Sequence, residues 1–176
     1  MTTYLDHHTL HYQGLDEWIK EENCSQILLV CDSSINFQKD FCARLETLNT
    51  HLNTKLVWFQ DFQPNPLYEN VQKGVELFRN TKCDSIIAVG GGSALDVAKC
   101  IKLYANLPGN GENGYWLTAE YVPNDIPFLA MPTTAGTGSE ATRYAVIYYD
   151  GKKQSLFSNK SFYLPAETCM VEDRDS

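Results

Sequence analysis

The chain lacks the long apolar run of a membrane protein: no stretch approaches the roughly 20 residues that a spanning helix needs. Its first residues, MTTYLDHHTLHYQG, carry neither the basic segment nor the apolar segment of a secretory signal. Positive charge is scarce. Lys and Arg total 14 against 22 Asp and Glu, for a formal net charge of −8, and no basic stripe occurs. That balance argues against nucleic acid and anionic membranes as partners. The six cysteines, Cys24, Cys31, Cys42, Cys83, Cys100 and Cys169, include no C-x-x-C pair, which removes the common zinc spacings. The expectation is reduced, mostly buried thiols in a cytoplasmic protein. Histidine is nearly absent, and none follows His51. His7 and His11 would share one face of a helix and could bind a metal there. The segment between them reads as extended, which separates the two rings and favours a solvent-exposed role.

What remains is a chain of 176 residues with 43% hydrophobic and 20% charged residues, enough for one packed domain. Strand and helix patterns alternate. An amphipathic stretch at 15–22 precedes a strand at Gln26–Cys31 (QILLVC). Residues 33–48 read as a helix with Phe37, Phe41, Leu45 and Leu48 on one face, followed by a strand at Lys55–Phe59 (KLVWF). Asn65-Pro66 has the chemistry of a helix start, with Leu67, Val71, Val75 and Phe78 at helical spacing after it. A third strand, SIIAV at 85–89, runs directly into Gly90-Gly91-Gly92 and a helix over 93–105. Ser93 and Asp96 have the spacing of a capping box at its start. A Gly-, Asn- and Pro-rich surface loop is expected over 107–124, then a fourth strand over 127–131. Tyr144–Tyr149, Asp150-Gly151 and Lys152–Phe157 predict a β-hairpin with a type I′ turn. A last strand is expected over 168–171. The order predicts an α/β fold with a doubly wound, Rossmann-like parallel sheet and a C-terminal β-hairpin.

Three segments carry candidate chemistry. The SIIAV-GGGS junction puts glycines where a strand ends and a helix begins, so backbone amides and the helix dipole can meet a phosphate. A simple tight turn is the other reading. It is neither the G-x-G-x-x-G fingerprint nor a P-loop. The segment PTTAGTGSE, at 132–140, offers hydroxyls and glycines at another strand end, to line a cofactor or to make a polar turn. Asp32, just after the first strand, can accept hydrogen bonds from an adenosine ribose and repel a 2′-phosphate. It can equally cap the helix that follows.

GGGSALDVAK at 90–99, PTTAGTGSEAT at 132–142 and the PNP step at Pro64–Pro66 together resemble the iron-containing, or group III, alcohol dehydrogenases. Glycerol dehydrogenase and dehydroquinate synthase are more distant relatives of similar architecture. The step Lys153-Gln154-Ser155 is similar to members that reduce small aldehydes, including phosphonoacetaldehyde reductase. The resemblance implies that Asp32 binds the adenosine ribose and biases the site toward NAD over NADP. Gly91, Gly92 and Ser93 would cradle the pyrophosphate, and Thr133, Thr134 and Thr137 would line the cleft. Asn65 would lie near the cofactor, although a cap explains it equally. Val146 and Lys153 would flank the ribose and nicotinamide end, with a solvated hairpin lysine as the alternative for Lys153.

In that family an Asp and several His residues on a second, helical domain hold iron or zinc, which polarises the alcohol oxygen. Nothing in this sequence matches those ligands. The expectation is therefore the N-terminal NAD(P)-binding domain of a metal-dependent alcohol dehydrogenase that interconverts a small alcohol and aldehyde. The metal domain would be absent, and the chain would bind nucleotide without turnover. A non-catalytic nucleotide-binding or assembly module, or a dehydroquinate synthase-like lyase fragment, are the alternatives. Tyr144, Tyr148, Tyr149, Phe157, Phe162 and Tyr163 crowd the hairpin region, which predicts contact there with another domain or a second copy.

Overall fold

A computed structural model of the chain describes residues 10–37, 39–122, 124–133, 144–157 and 167–168. The elements are α1 (Leu10–Glu21), β1 (Gln26–Cys31), α2 (Lys39–Leu52), β2 (Lys55–Phe59), α3 (Tyr68–Asn80), β3 (Ser85–Gly90) and α4 (Gly92–Tyr104). They continue with α5 (Tyr115–Thr118), β4 (Phe128–Pro132), β5 (Tyr144–Tyr149), β6 (Lys152–Phe157) and β7 (Glu167–Thr168). Five parallel strands form one sheet in the order β2-β1-β3-β4-β7. The chain winds outward from β1 to β2, then crosses back over β1 to β3. The winding direction therefore reverses between β1 and β3, and a crevice opens beyond their carboxyl ends.

The inner strands β1, β3 and β4 are continuous apolar runs because both faces are covered, whereas the edge strand β2 leaves Lys55 and Trp58 exposed. Side chains alternate between two cores. Ile27, Leu29, Cys31, Ile87, Val89, Leu129 and Met131 face α1 and α2, where Leu15, Trp18, Ile19, Phe41, Leu45 and Leu48 complete the layer. Leu28, Val30, Ile86, Ala88, Phe128 and Ala130 face α3 and α4, packing on Val71, Val75, Leu95, Ala98 and Ile101. The hairpin adds Ala145, Ile147 and Leu156 to this second core. Its turn residues Asp150 and Gly151 have φ of +49° and +69°, as a type I′ turn requires.

Three expected elements differ. The helix expected over 33–48 is broken: Ser33–Phe37 is a 3₁₀ turn, and α2 begins at Lys39. Asp32 is the reason, since its Oδ1 accepts the Ser34 amide at 2.9 Å and closes a local turn. Asn65 is not the cap of α3. It has φ +57°, the cap position is Leu67, and Asn70 Oδ1 accepts the Leu67 amide at 2.8 Å. The stretch 107–124 is more than a surface loop. It holds a 3₁₀ turn and α5, and Trp116 is buried. The Trp116 ring stacks on Tyr104 at 5.3 Å, while Tyr68 Oη donates to the Gly111 carbonyl at 2.7 Å and accepts the Trp116 amide at 3.2 Å.

Among the described residues five cysteines are free thiols, and Cys169 lies outside them. Burial pushes the Cys31 thiol up to about 12. No helix among the described residues is long and apolar enough to cross a membrane.

Candidate functional site

The site is built where β1, β3 and β4 end together. Asp32 follows β1, Gly90 ends β3, and Thr133 follows β4. The Thr133 amide donates to the Gly90 carbonyl at 3.0 Å, which carries the sheet pairing one residue past β4. Gly90 has φ +149°, which L residues rarely adopt. A Cβ there would also lie 2.6 Å from Asp32 Cγ and 2.9 Å from Ala94 Cβ. Only glycine lets the Asp32 carboxylate lie against the backbone at this position.

Asp32 ties the strand ends to the loop. Its Oδ2 accepts the Gly91 amide at 2.8 Å. Its Oδ1 accepts both the amide and the hydroxyl of Ser34. Ser34 Oγ in turn lies 2.8 Å from Thr133 Oγ1. The cap alternative for Asp32 is thus realised in the 3₁₀ turn, and the same carboxylate also faces the glycine loop. Gly91 is the N-cap of α4, so Gly92 and Ser93 form its first turn. Their amides have no partner inside the helix and sit at the positive end of its dipole.

The capping box expected from Ser93 and Asp96 is not made, because Gly91 occupies the cap and Asp96 is engaged elsewhere. Asp96 Oδ2 accepts the Val146 amide at 3.1 Å, fifty residues along the chain. Burial raises the Asp96 carboxyl, while the Val146 amide and Lys99 oppose that rise. Lys99, itself buried, donates to the Tyr144 carbonyl at 2.9 Å and stands 3.9 Å from Asp96 Oδ1. This pair fastens β5 across α4.

The structure therefore brings Asp32, Gly91 and Thr133 into one hydrogen-bonded unit, with Gly92 and Ser93 directly after it. Val146 is joined to that unit through the first turns of α4. Asn65 is exposed in the turn before α3, where the neighbouring Pro66 carbonyl accepts the Tyr148 amide at 2.9 Å. Lys153 is exposed on β6, opposite Tyr148. Thr134 and Thr137 lie outside the described residues, as do His7 and His8. On the hairpin, Tyr149 packs edge-on to Tyr68 at 5.2 Å, Tyr148 is half-buried and Tyr144 is 55% exposed. Ser34 and Lys99 were not singled out from sequence. The Asp-x-Ser spacing of an Asx turn was a usable signal for Ser34. For Lys99 the i,i+3 spacing from Asp96 was a local signal, while its bond to the Tyr144 carbonyl is tertiary and left none. No group of three or more His, Cys, Asp or Glu residues suited to a metal occurs among the described residues.

Comparison with known proteins identifies the family of the chain and its fold. The family model for iron-containing alcohol dehydrogenase matches residues 8–166. The chain is 36% identical to a choline dehydrogenase of Bacillus subtilis over 153 residues, covering 84% of this chain and 37% of that protein. It is 38% identical to a 1,3-propanediol dehydrogenase of Citrobacter freundii over 124 residues, covering 68% and 31%. The chain thus spans about a third of the length of these relatives. Among solved structures, a 1,3-propanediol oxidoreductase superposes with a TM-score of 0.76 at 27% identity, over 98% of this chain and 46% of that one. The fold is also that of a sulfoacetaldehyde reductase from Bifidobacterium kashiwanohense, solved in complex with NAD+ (TM-score 0.75, 22% identity, 97% of this chain and 46% of that one). With the matched model extending over most of its length, this chain belongs to the iron-containing alcohol dehydrogenase family.

Proposed function

We propose that this chain is the dinucleotide-binding domain of a metal- and NAD-dependent alcohol dehydrogenase, one that interconverts a small alcohol and its aldehyde. The observation that carries the reading is the junction of β3 with α4. It sits at the reversal of winding, opens a helix with glycines, and has Asp32 beside it. In this reading the Gly92 and Ser93 amides meet the pyrophosphate, with Gly91 giving it room to approach. Asp32 accepts a hydroxyl of the adenosine ribose and disfavours the extra phosphate of NADP. Thr133, Thr134 and Thr137 line the cleft, Asn65 borders it, and Val146 with Lys153 flanks the nicotinamide end. Bound there, the nicotinamide would take hydride from the alcohol carbon. Iron or zinc would be held by residues in the part of the relatives' length that these 176 residues do not span.

Titrating the chain with NADH and NADPH, followed by nucleotide fluorescence, tests the reading. NADH is expected to bind more tightly than NADPH, with no alcohol oxidation by the chain alone. Absence of binding to both overturns it. Gly91→Val is the companion variant. Gly91 has φ −80° and ψ −170°, extended backbone that valine adopts readily, so the substitution obstructs a phosphate without straining the backbone dihedrals. Unchanged NADH affinity in that variant would refute the pyrophosphate position. The outer face of the hairpin, where Tyr144 is exposed, is our proposed contact for the rest of a longer enzyme or a second copy. Sedimentation of a full-length relative with glutamate placed at the position matching Tyr144 should show a smaller assembly or a less compact chain. An unchanged profile removes that contact.

A further inference from the structure

The hydrogen bonds around Asp32 have a fixed direction. A carboxylate only accepts, so the single hydroxyl proton of Ser34 points to Asp32 Oδ1. Ser34 Oγ then has only lone pairs left for Thr133, and the 2.8 Å contact between the two hydroxyls must carry the Thr133 proton. The order is Thr133 Oγ1–H to Ser34 Oγ–H to Asp32 Oδ1, with the Gly91 amide closing on Oδ2 from the other side. Two consequences follow. Asp32 Oδ1 already accepts two bonds, from the Ser34 amide and hydroxyl, and Oδ2 accepts one. Of about four acceptor positions on a carboxylate, a single one on Oδ2 is left by these bonds. Thr133 Oγ1, its proton committed, can meet a ligand only as an acceptor.

We infer that Ser34 is a positioning residue of the nucleotide site: by linking Thr133 to Asp32 it holds the Asp32 carboxylate so that one oxygen position faces the cleft, and thereby sets the preference between NADH and NADPH. This rests on the reading that Asp32 meets the adenosine ribose. Without Ser34 the carboxylate keeps the Gly91 amide and the residue 34 amide but loses its hydroxyl donor, and it can turn away from a 2′-phosphate. Ser34 itself touches no nucleotide atom in this scheme.

The test compares NADH and NADPH dissociation constants of the chain for four variants: Ser34→Ala, Ser34→Thr, Thr133→Val and Asp32→Ala. Ser34→Ala should weaken NADH about tenfold, the scale of one hydrogen bond to a charged group. It should weaken NADPH less, so that the ratio of the two constants narrows at least threefold. Ser34→Thr restores the hydroxyl and should restore the ratio. A merely structural role would weaken both nucleotides alike, and an unchanged ratio in a folded Ser34→Ala protein overturns the inference. If Ser34→Ala does not fold, Thr133→Val breaks the other end of the chain of hydroxyls. It must narrow the ratio in the same direction, and an unchanged ratio there is equally fatal. Asp32→Ala separates the two levels. If it leaves both affinities unchanged, the ribose reading has failed. If it alone narrows the ratio, the ribose reading stands and the role of Ser34 does not.

Discussion

Substituting Gly90 by alanine places a methyl group where the Asp32 carboxylate now rests. The new Cβ would lie 2.6 Å from Asp32 Cγ and 2.9 Å from Ala94 Cβ, and the backbone would still need φ +149°. Ala94 is buried in α4 and cannot retreat, so Asp32 must move. Moving it breaks the 2.8 Å bond from the Gly91 amide, a hydrogen bond to a charged acceptor that contributes about 1.5–3 kcal/mol. The positive φ adds about 1–2 kcal/mol for an L residue. Together the substitution should cost about 3–5 kcal/mol, which for a chain of this size lowers Tm by about 10 °C. Urea unfolding, followed in parallel by tryptophan fluorescence and far-UV circular dichroism, measures the cost if the two probes coincide. The decisive comparison is the same substitution in an Asp32→Ala background. With the carboxylate gone, the backbone term of about 1–2 kcal/mol and the Ala94 contact remain in both backgrounds, so the pair should couple by about 1.5–3 kcal/mol, the Asp32 term alone. An equal cost in both backgrounds would refute the argument that Gly90 is glycine on account of Asp32.

Other expectations follow from single contacts. Tyr68→Phe leaves the Gly111 carbonyl and the Trp116 amide without their shared buried partner, and should cost about 1–3 kcal/mol in urea unfolding. A loss below a few tenths would show that the tyrosine ring, not its hydroxyl, orders 107–118. Lys102 is buried and donates to the Ile126 carbonyl and, at 3.1 Å, to Asn124 Oδ1. Burial lowers its amine from 10.5 to about 8, with Asp125 opposing. Between pH 8 and 10.5 the unfolded chain holds this proton more tightly than the folded one, so the contribution of Lys102 is present above 10.5 and lost as pH falls to 8. The stability of the wild type relative to Lys102→Met should therefore rise as pH goes from 8 to 10, and a constant difference excludes the shift. Asp96→Ala should speed hydrogen exchange at the Val146 amide by tenfold or more, leaving β1 amides unaffected. Finally, under the proposed contact of Asp32 with the adenosine ribose, the one acceptor position left on Oδ2 by its three bonds should make Asp32→Ala couple energetically to only one of the two ribose hydroxyls of NADH. Binding of 2′-deoxy and 3′-deoxy analogues reads this directly, and coupling to both contradicts it.

The strands were legible because each is an apolar run of strand length bounded by polar or turn residues. QILLVC and KLVWF appear at the expected limits. The GGGS junction was legible for the same reason, since an abrupt change from apolar strand to glycine marks a strand end whatever its neighbours are. What failed was decided by partners far along the chain. Asn65-Pro66 has every local sign of a helix start. Yet the Pro66 carbonyl is taken by Tyr148 in the hairpin, and Asn70 reaches back to cap at Leu67. Ser93 and Asp96 have the spacing of a capping box, but a buried backbone amide at Val146 competes for that carboxylate and wins. Trp116 sits in a stretch with no periodicity, and partners far along the chain, Tyr68, Tyr104 and the Arg79 guanidinium over its ring, make it core.

The candidate site shows the same division between local and tertiary control. Three consecutive glycines supply room and an uncommon φ, but they also carry the largest conformational entropy in the unfolded chain. A glycine loop alone would be a poor platform for a ligand, since ordering it costs about 1–2 kcal/mol per residue. Here the order comes from two carboxylate bonds that span long stretches of sequence. Asp32 grips the loop at the Gly91 amide, and Asp96, just over one helical turn into α4, grips the strand that lies across it. Each bond to a charged acceptor contributes about 1.5–3 kcal/mol, the scale needed to offset that entropy. The glycines give the loop its shape, and the aspartates make that shape persist.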